Sequence, residues 1–188
     1  MVPRQFKCYY QNVRGLRTKS HNFLSQLLLC DYDFICLTET WLTADYFDRE
    51  YFDKRYDVYR SDRYALASGA GRGGGVAIAV DSSLQSRKRP WPDADEPHAG
   101  ADALWVSIPL SRSHVPTDCT YLNIGCVYIP QGTGYRTVLE GYLYLTEKLI
   151  NDHPKDLFIL MGDFNISHSV WTDCFCRARC RNISRHSS

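Results

Sequence analysis

The amino-acid sequence predicts an α/β fold in a single domain. Short apolar runs of strand length alternate with two segments whose apolar residues recur every three or four positions, which is the period of a helix. A length of 188 residues suits one domain, and a content of 44% hydrophobic and 13% aromatic residues argues against a disordered chain. The formal net charge of +1 excludes a global positive field, so any binding of nucleic acid needs a local basic patch.

The first part of the chain predicts a strand, a helix and a second strand. Residues 6–13 form the first strand, and apolar residues at helical spacing predict a helix over 22–30. Residues 33–39 are almost continuously apolar, which suits a strand buried on both faces, and the run ends on Glu39.

The middle of the chain predicts further strands separated by loops. Residues 46–59 have no clean period and predict a short helix or loop that leads into a strand near 56–60. Strands are also expected at 76–80 and 103–110. The segment 86–102 contains three prolines and mixed charges, so it is expected to be a surface loop.

A second strand–helix–strand unit is expected at 121–163. Its predicted elements are a strand at 121–129, a helix at 136–151 and a strand at 157–161. The unit has the same order as residues 6–39, although the two are too different in sequence to be called a repeat. Because sites in layered α/β folds form at strand ends, Glu39 and Asp163 are expected to face one cleft.

Polar side chains at these strand ends have the chemistry that phosphate-ester hydrolysis needs. The reaction requires a divalent cation, a base that positions water, and donors that hold the developing charge. Magnesium prefers hard oxygen ligands and usually takes only one or two carboxylates from the protein. Asn12, Glu39, Asp163 and Asn165 are side chains of the right types.

Four short motifs resemble those of endonuclease/exonuclease/phosphatase domains and occur in the order typical of that family. They are Gln11-Asn12, Thr38-Glu39-Thr40-Trp41, Val127-Tyr128-Ile129-Pro130 and Gly162-Asp163-Phe164-Asn165. The resemblance covers about residues 6–173. It implies a four-layer α/β sandwich, in which two β-sheets are flanked by helices.

The resemblance also implies a role for each of these side chains. Glu39, helped by Asn12, would hold Mg²⁺, with Mn²⁺ as the alternative cation. Asp163 would orient or deprotonate the attacking water. Tyr128 would stabilise the phosphate in the transition state, and Asn165 would bind the scissile phosphate.

Two further segments resemble the endonucleases of non-LTR retrotransposons. One is residues 59–63 followed by the glycine-rich stretch 71–76, and the other is residues 162–171. This likeness implies that a monomer nicks DNA at a target site, with a reverse transcriptase in a longer polyprotein. Guanidinium groups beside flexible glycines suit a DNA backbone, and the predicted contacts are Arg60, Arg63 and Arg72.

The end of the sequence departs from the pattern of the family. Complete members continue into further strands and a Ser-Asp-His motif, whereas this chain becomes rich in cysteine, arginine and serine. We therefore expect a domain over residues 1–173 that is incomplete at the C-terminus, a disordered tail over 174–188, and impaired turnover. A zinc cluster is the alternative interpretation of the tail, but the spacing of Cys174, Cys176 and Cys180 is not that of paired ligands.

Other interpretations stay open at this point. One is a different branch of the same superfamily that acts on phosphoinositides, sphingomyelin or RNA tails. Another is a non-catalytic relic or nucleic-acid-binding fragment. The run 87–89 is interpreted as a solvated loop, with a DNA contact as the alternative. With neither a secretory signal nor an apolar stretch of membrane-spanning length, we expect an intracellular protein, nuclear if it acts on chromosomal DNA.

Overall fold

The computed structural model of the chain describes residues 5–63, 73–91, 100–110 and 118–166. Within these residues the chain forms two α-helices and eight strands, joined by loops and short 3₁₀ turns. In chain order they are β1 (Cys8–Asn12), α1 (Ser20–Leu29), β2 (Phe34–Thr38), β3 (Tyr56–Ser61), β4 (Val76–Asp81), β5 (Arg87–Arg89), β6 (Asp102–Pro109), β7 (Tyr121–Tyr128), α2 (Tyr135–Asp152) and β8 (Leu157–Asp163).

The strands form two mixed sheets of four. The first sheet has the order β1-β2-β4-β3 and the second has the order β5-β6-β7-β8. In each sheet one pair of neighbours is parallel, β1 with β2 and β7 with β8, and the other pairs are antiparallel. The helices α1 and α2 connect the strands of these two parallel pairs, as a parallel pair requires.

The side chains of β2 show how the layers pack. Ile35 and Leu37 face α1 in one apolar cluster, whereas Phe34 and Cys36 face the second sheet in another. A third cluster joins the outer face of the second sheet to α2 through Tyr142. The order of layers is therefore helix, sheet, sheet, helix, and the predicted four-layer α/β sandwich is confirmed.

The predicted elements correspond closely to the observed ones, with one clear difference. The segment 86–102 was expected to be a loop, but Arg87–Arg89 pairs with β6 as a short strand. Its basic residues give no apolar alternation, so the pattern carries no strand signal. A buried polar set holds the strand instead, because Arg89 contacts Ser107, Asn123 and Asp156.

Several predictions concern parts of the chain outside the described residues. They include the tail at 174–188, the domain limit at 173, the glycines before position 73, and the DNA contact predicted for Arg72. Within the part of the chain that the structure describes, no helix is both long and apolar enough to span a bilayer.

Candidate active site

The candidate site lies where the two parallel strand pairs end. Strands β1 and β8 contact each other across the sandwich, as do β2 and β7. Asn12 ends β1, Glu39 follows β2, Tyr128 ends β7, and Asp163 ends β8. Because these strands end at one side of the facing sheets, their last side chains meet there.

Asn12 joins the two carboxylates. Its side-chain nitrogen Nδ2 donates to Glu39 Oε1 at 2.7 Å and to Asp163 Oδ2 at 2.7 Å. The two carboxylates come from different sheets and share one donor, so they lie within two hydrogen-bond lengths of each other. The structure therefore brings the predicted metal ligand and the predicted base into a single centre.

Asn165 fixes the loop that follows β8. Its backbone N–H donates to Asp163 Oδ1 at 3.0 Å, and its side-chain nitrogen donates to the carbonyl of Ile129 at 2.8 Å. Its side-chain oxygen accepts from Gln131 Nε2 at 3.1 Å. Asp163 thus has a donor on each carboxylate oxygen, and this restricts the rotation of its carboxylate.

Tyr128 lies between two acids, opposite Asp102 on β6 and Asp163 on β8. The guanidinium carbon of Arg63 lies 5.3 Å from the centre of its ring. Burial, and then the negative charge of Glu39, raise the pKa of Tyr128 above its ordinary value of 10.0. The phenol therefore keeps its proton at neutral pH and can donate a hydrogen bond to a phosphate oxygen.

Asp102 holds Arg63 beside this tyrosine. Its carboxylate accepts from Arg63 Nε at 3.1 Å, pairs with Nη2 at 2.6 Å, and also accepts the backbone N–H of Gly75 at 2.9 Å. Gly74 has φ +81°, and a Cβ at this position would lie 2.5 Å from the guanidinium carbon of Arg63. No other residue fits there without moving the ion pair.

Left-handed backbone conformations concentrate around the site. Of the five non-glycine residues with positive φ in the described chain, four border it. These four are Arg14 (φ 44°), Glu39 (54°), Trp41 (56°) and Asn165 (50°). Such conformations cost about 1–3 kcal/mol each and persist where the surrounding structure enforces them, typically at functional sites.

The family assignment agrees with this geometry. A model of the Endonuclease/Exonuclease/phosphatase family matches residues 10–178. The chain belongs to this family. None of the curated proteins has a matching sequence.

Solved structures of other proteins share the fold. An AP endonuclease from Archaeoglobus fulgidus is 17% identical with a TM-score of 0.54, and the alignment covers 86% of this chain and 58% of that one. The human Nocturnin catalytic domain is 16% identical (TM-score 0.58), with 84% and 62% covered. D. rerio TDP2, complexed with single-strand DNA product, is 16% identical (TM-score 0.53), with 87% and 62% covered. This chain therefore spans about three fifths of the length of these relatives, and the likeness is one of fold.

The donor set fits the hard divalent cation that family membership implies. Glu39, Asp163 and Asn12 offer carboxylate and amide oxygens, which are the ligands that Mg²⁺ prefers. Among the described residues there is no group of three histidine, cysteine or acidic side chains placed to hold a metal ion. A centre with two carboxylates still suits Mg²⁺, which keeps several of its waters.

The arginines predicted to contact DNA lie in different environments. The side chain of Arg60 is only 12% exposed, and its guanidinium is occupied by protein acceptors, namely Asp62, Asp48 and the carbonyls of Tyr46 and Thr43. It fixes the segment before β3. Arg63, by contrast, lies at the site itself.

Sequence reasoning missed two charged residues at the site. Asp102 was assigned to the end of a loop, because its position opposite Tyr128 follows only from the strand register. Arg14 lies directly after the first predicted strand and was not assigned a role. Its backbone N–H donates to Asn12 Oδ1 at 3.2 Å, and its exposed side chain makes no ion pair within the described residues.

Proposed function

We propose that this chain is the catalytic domain of a metal-dependent phosphodiesterase that cleaves DNA, with Mg²⁺ as the cation and Mn²⁺ as the alternative. The observation that carries the proposal is the shared donor. Asn12 holds Glu39 and Asp163 together, although the two carboxylates come from different sheets. Two carboxylates so close together repel each other unless a cation or a proton lies nearby, and a metal centre satisfies that requirement.

Each side chain has a part in the proposed reaction. Glu39 and the Asn12 oxygen would hold the cation, which when bound neutralises the charge of the phosphate. Asp163 would orient a water and take its proton as the water oxygen bonds to phosphorus and the ester oxygen departs. The protonated phenol of Tyr128 would donate to a phosphoryl oxygen, and Asn165 would bind the same phosphate.

Local positive charge supports DNA as the substrate. Arg63 lies beside Tyr128, and Arg14 follows Asn12 with an exposed side chain. Guanidinium groups bind phosphates well because their N–H groups match the spacing of phosphate oxygens. One relative of the same fold, D. rerio TDP2, is complexed with single-strand DNA product. For Arg60 and Arg72 a DNA contact stays a prediction.

The finer proposal is target-site nicking by a retrotransposon endonuclease. It rests on the order of residues 59–63 and 71–76 and on the sequence after Asp163. In that setting the chain would act in the nucleus as a monomer, with a reverse transcriptase in the same polyprotein. Mapping the positions of the nicks along a plasmid tests this part of the proposal. Nicks concentrated at one sequence would support it, and nicks spread uniformly along the plasmid would contradict it.

A plasmid-nicking assay tests the hydrolysis itself. Because the sequence predicts impaired turnover, protein is used in excess over supercoiled plasmid, so that a single turnover is detected. We expect nicking that depends on Mg²⁺, stops with EDTA, and falls at least 100-fold in Glu39→Gln and Asp163→Asn.

The matched controls carry the same chemical changes on exposed residues. Glu140→Gln lies on the outer surface of α2, and Asp57→Asn lies on β3. Both should nick like the wild type. Equal activity in wild type, Glu39→Gln and Asp163→Asn would overturn the proposal, as would salt-dependent DNA binding with no cleavage in any buffer.

A further inference from the structure

Trp41 is an exposed aromatic residue next to the candidate centre. It lies two residues after Glu39, and 40% of its surface is exposed. Its φ of 56° is unfavourable for a bulky side chain, and its backbone N–H donates to the carbonyl of Gly74 at 3.0 Å. The fold therefore holds Trp41 in an unfavourable backbone conformation that places its indole at the rim of the site.

The backbone of two loops fixes the position of the indole. At Gly15 (φ +92°) an added Cβ would lie 2.7 Å from Trp41 Cε3 and 3.2 Å from Cζ3. At Gly73 an added Cβ would lie 3.8 Å from Nε1. Gly15 also donates to the carbonyl of Glu39 at 2.8 Å, so the loop that supports the ring also supports the carboxylate. The indole is held rigidly on one side and open to solvent on another.

Packing within the protein does not account for this exposure. The buried tryptophan, Trp105, is only 1% exposed and fills the space above Gly125. Trp41 leaves a large part of an apolar ring in water, and Gly15, whose backbone lies against the ring, follows the exposed Arg14 in the chain. Exposed aromatic rings and basic side chains in one region are the combination with which proteins stack nucleic-acid bases and hold the phosphates.

We propose that Trp41 contacts substrate by stacking on the base of the nucleotide next to the scissile phosphate. This inference rests on the proposed function. Inside a duplex both faces of a base are covered by its neighbours, so an indole can stack only on a base that is unpaired or displaced. The substrate class is therefore DNA in which the nucleotide beside the cleaved bond is unpaired or is displaced from the duplex, and Trp41 is the residue that determines this specificity.

Measurements of equilibrium binding test the stacking of Trp41 on a base without relying on cleavage. The full chain is titrated in EDTA with three labelled probes: a single-stranded oligonucleotide, an abasic strand with the same number of phosphates, and the fully paired duplex. Trp41→Ala should weaken binding of the single strand about 5- to 150-fold, since stacking contributes about 1–3 kcal/mol per base. Binding of the abasic strand and of the duplex should not change. Trp41→Phe should keep most of the affinity for the single strand.

Two controls separate stacking from damage to the fold. Tyr144→Ala removes an aromatic ring that is 67% exposed on α2 and should leave all three affinities unchanged. Thermal unfolding shows whether the Trp41→Ala variant is folded. If it is not, the comparison is made with Trp41→Phe, which keeps an aromatic ring at this position. Equal weakening for the single strand and the abasic strand, or no weakening for either, would overturn the assignment. Binding that depends on bases and on Trp41 but is never followed by cleavage would reject the hydrolysis proposal and leave the stacking contact standing.

Discussion

Strands β2 and β8 are similar in sequence and different in surroundings. Both are short apolar runs that lead into a carboxylate, Glu39 after β2 and Asp163 at the end of β8. Strand β2 is buried at all five positions between β1 and β4, whereas β8 is only half-buried at all seven and pairs with β7 alone among the described strands. The comparison shows that the two acidic residues of one centre are held in place differently, one by a buried strand and the other by a half-buried one.

On the β2 side the core positions the backbone of Glu39, and Asn12 donates one hydrogen bond to its carboxylate. Glu39 follows a strand packed on both faces, and the backbone of Gly15 holds its carbonyl. On the β8 side hydrogen bonds hold the carboxylate on both oxygens, because Asn12 and Asn165 each donate to one oxygen of Asp163. Changes near β2 should therefore affect stability first, and changes near Asp163 should affect activity first.

The largest expected effect concerns stability. Leu37→Ala removes a fully buried side chain from β2 and should lower the free energy of unfolding by about 2–5 kcal/mol. Ile159→Ala, at a half-buried position of β8, should cost about 1–2 kcal/mol, because part of that side chain already contacts water. Urea unfolding monitored by circular dichroism measures both. Equal costs would contradict the difference between the strands.

The next effect concerns the contact that joins the two sides. Asn12→Ala removes the shared donor and should reduce nicking about 10- to 100-fold, as is typical when a group that orients metal ligands is lost. The unfolding midpoint should move little, since Asn12 is only partly buried. Asn151→Ala, on the exposed end of α2, is the control. A large loss of stability with unchanged activity would show that Asn12 is structural.

A smaller effect tests the polar support of the second sheet. Asp102→Asn weakens the ion pair with Arg63, so we expect about a tenfold fall in nicking, since a hydrogen bond to a charged group contributes about 1.5–3 kcal/mol. Asp57→Asn makes the same change on an exposed part of β3 and should be neutral. The decrease in nicking caused by Asp102→Asn should be smaller at high salt, because salt screens a contact between Arg63 and a phosphate.

The smallest effect appears at alkaline pH. Burial raises the pKa of Tyr10, whose hydroxyl lies 3.2 Å from Thr38 Oγ1, to about 12. The unfolded chain loses this proton near pH 10 and the folded chain near pH 12, so the stabilisation is complete below pH 10 and is lost as the pH rises through 12. Tyr10→Phe should flatten the fall in Tm over this window, and Tyr144→Phe, an exposed control, should not.

The sequence predicted most of the strands and the centre itself for physical reasons. Apolar runs of strand length follow from burial, so β2 and β8 could be located within a few residues. Glu39 and Asp163 stood out because each ends an apolar strand, whereas Asn12 and the roles of all three came from the resemblance of the four motifs to those of the family. Their convergence required that each parallel pair end on one side of its sheet and that the two sheets face each other with those ends together.

What the sequence did not predict depends on contacts between distant residues. Arg60 and Arg63 look alike in sequence, but only Arg60 finds acceptors in the segment 43–48, and only Arg63 lies beside Tyr128. Asp102 belongs to the site through its register with β7, which a proline-rich neighbourhood conceals. The left-handed conformation of Trp41 likewise depends on Gly74, far along the chain.

A hydrogen bond that joins the two sheets would make the proposed catalysis sensitive to their relative position. Asn12 belongs to the first sheet and Asp163 to the second, so a small sliding of one sheet over the other would pull the donor from its acceptor while the two clusters between helix and sheet stay intact. Mild denaturant should then abolish nicking well before the circular dichroism signal changes. The proposed activity would then be lost through movement between the sheets and not through unfolding.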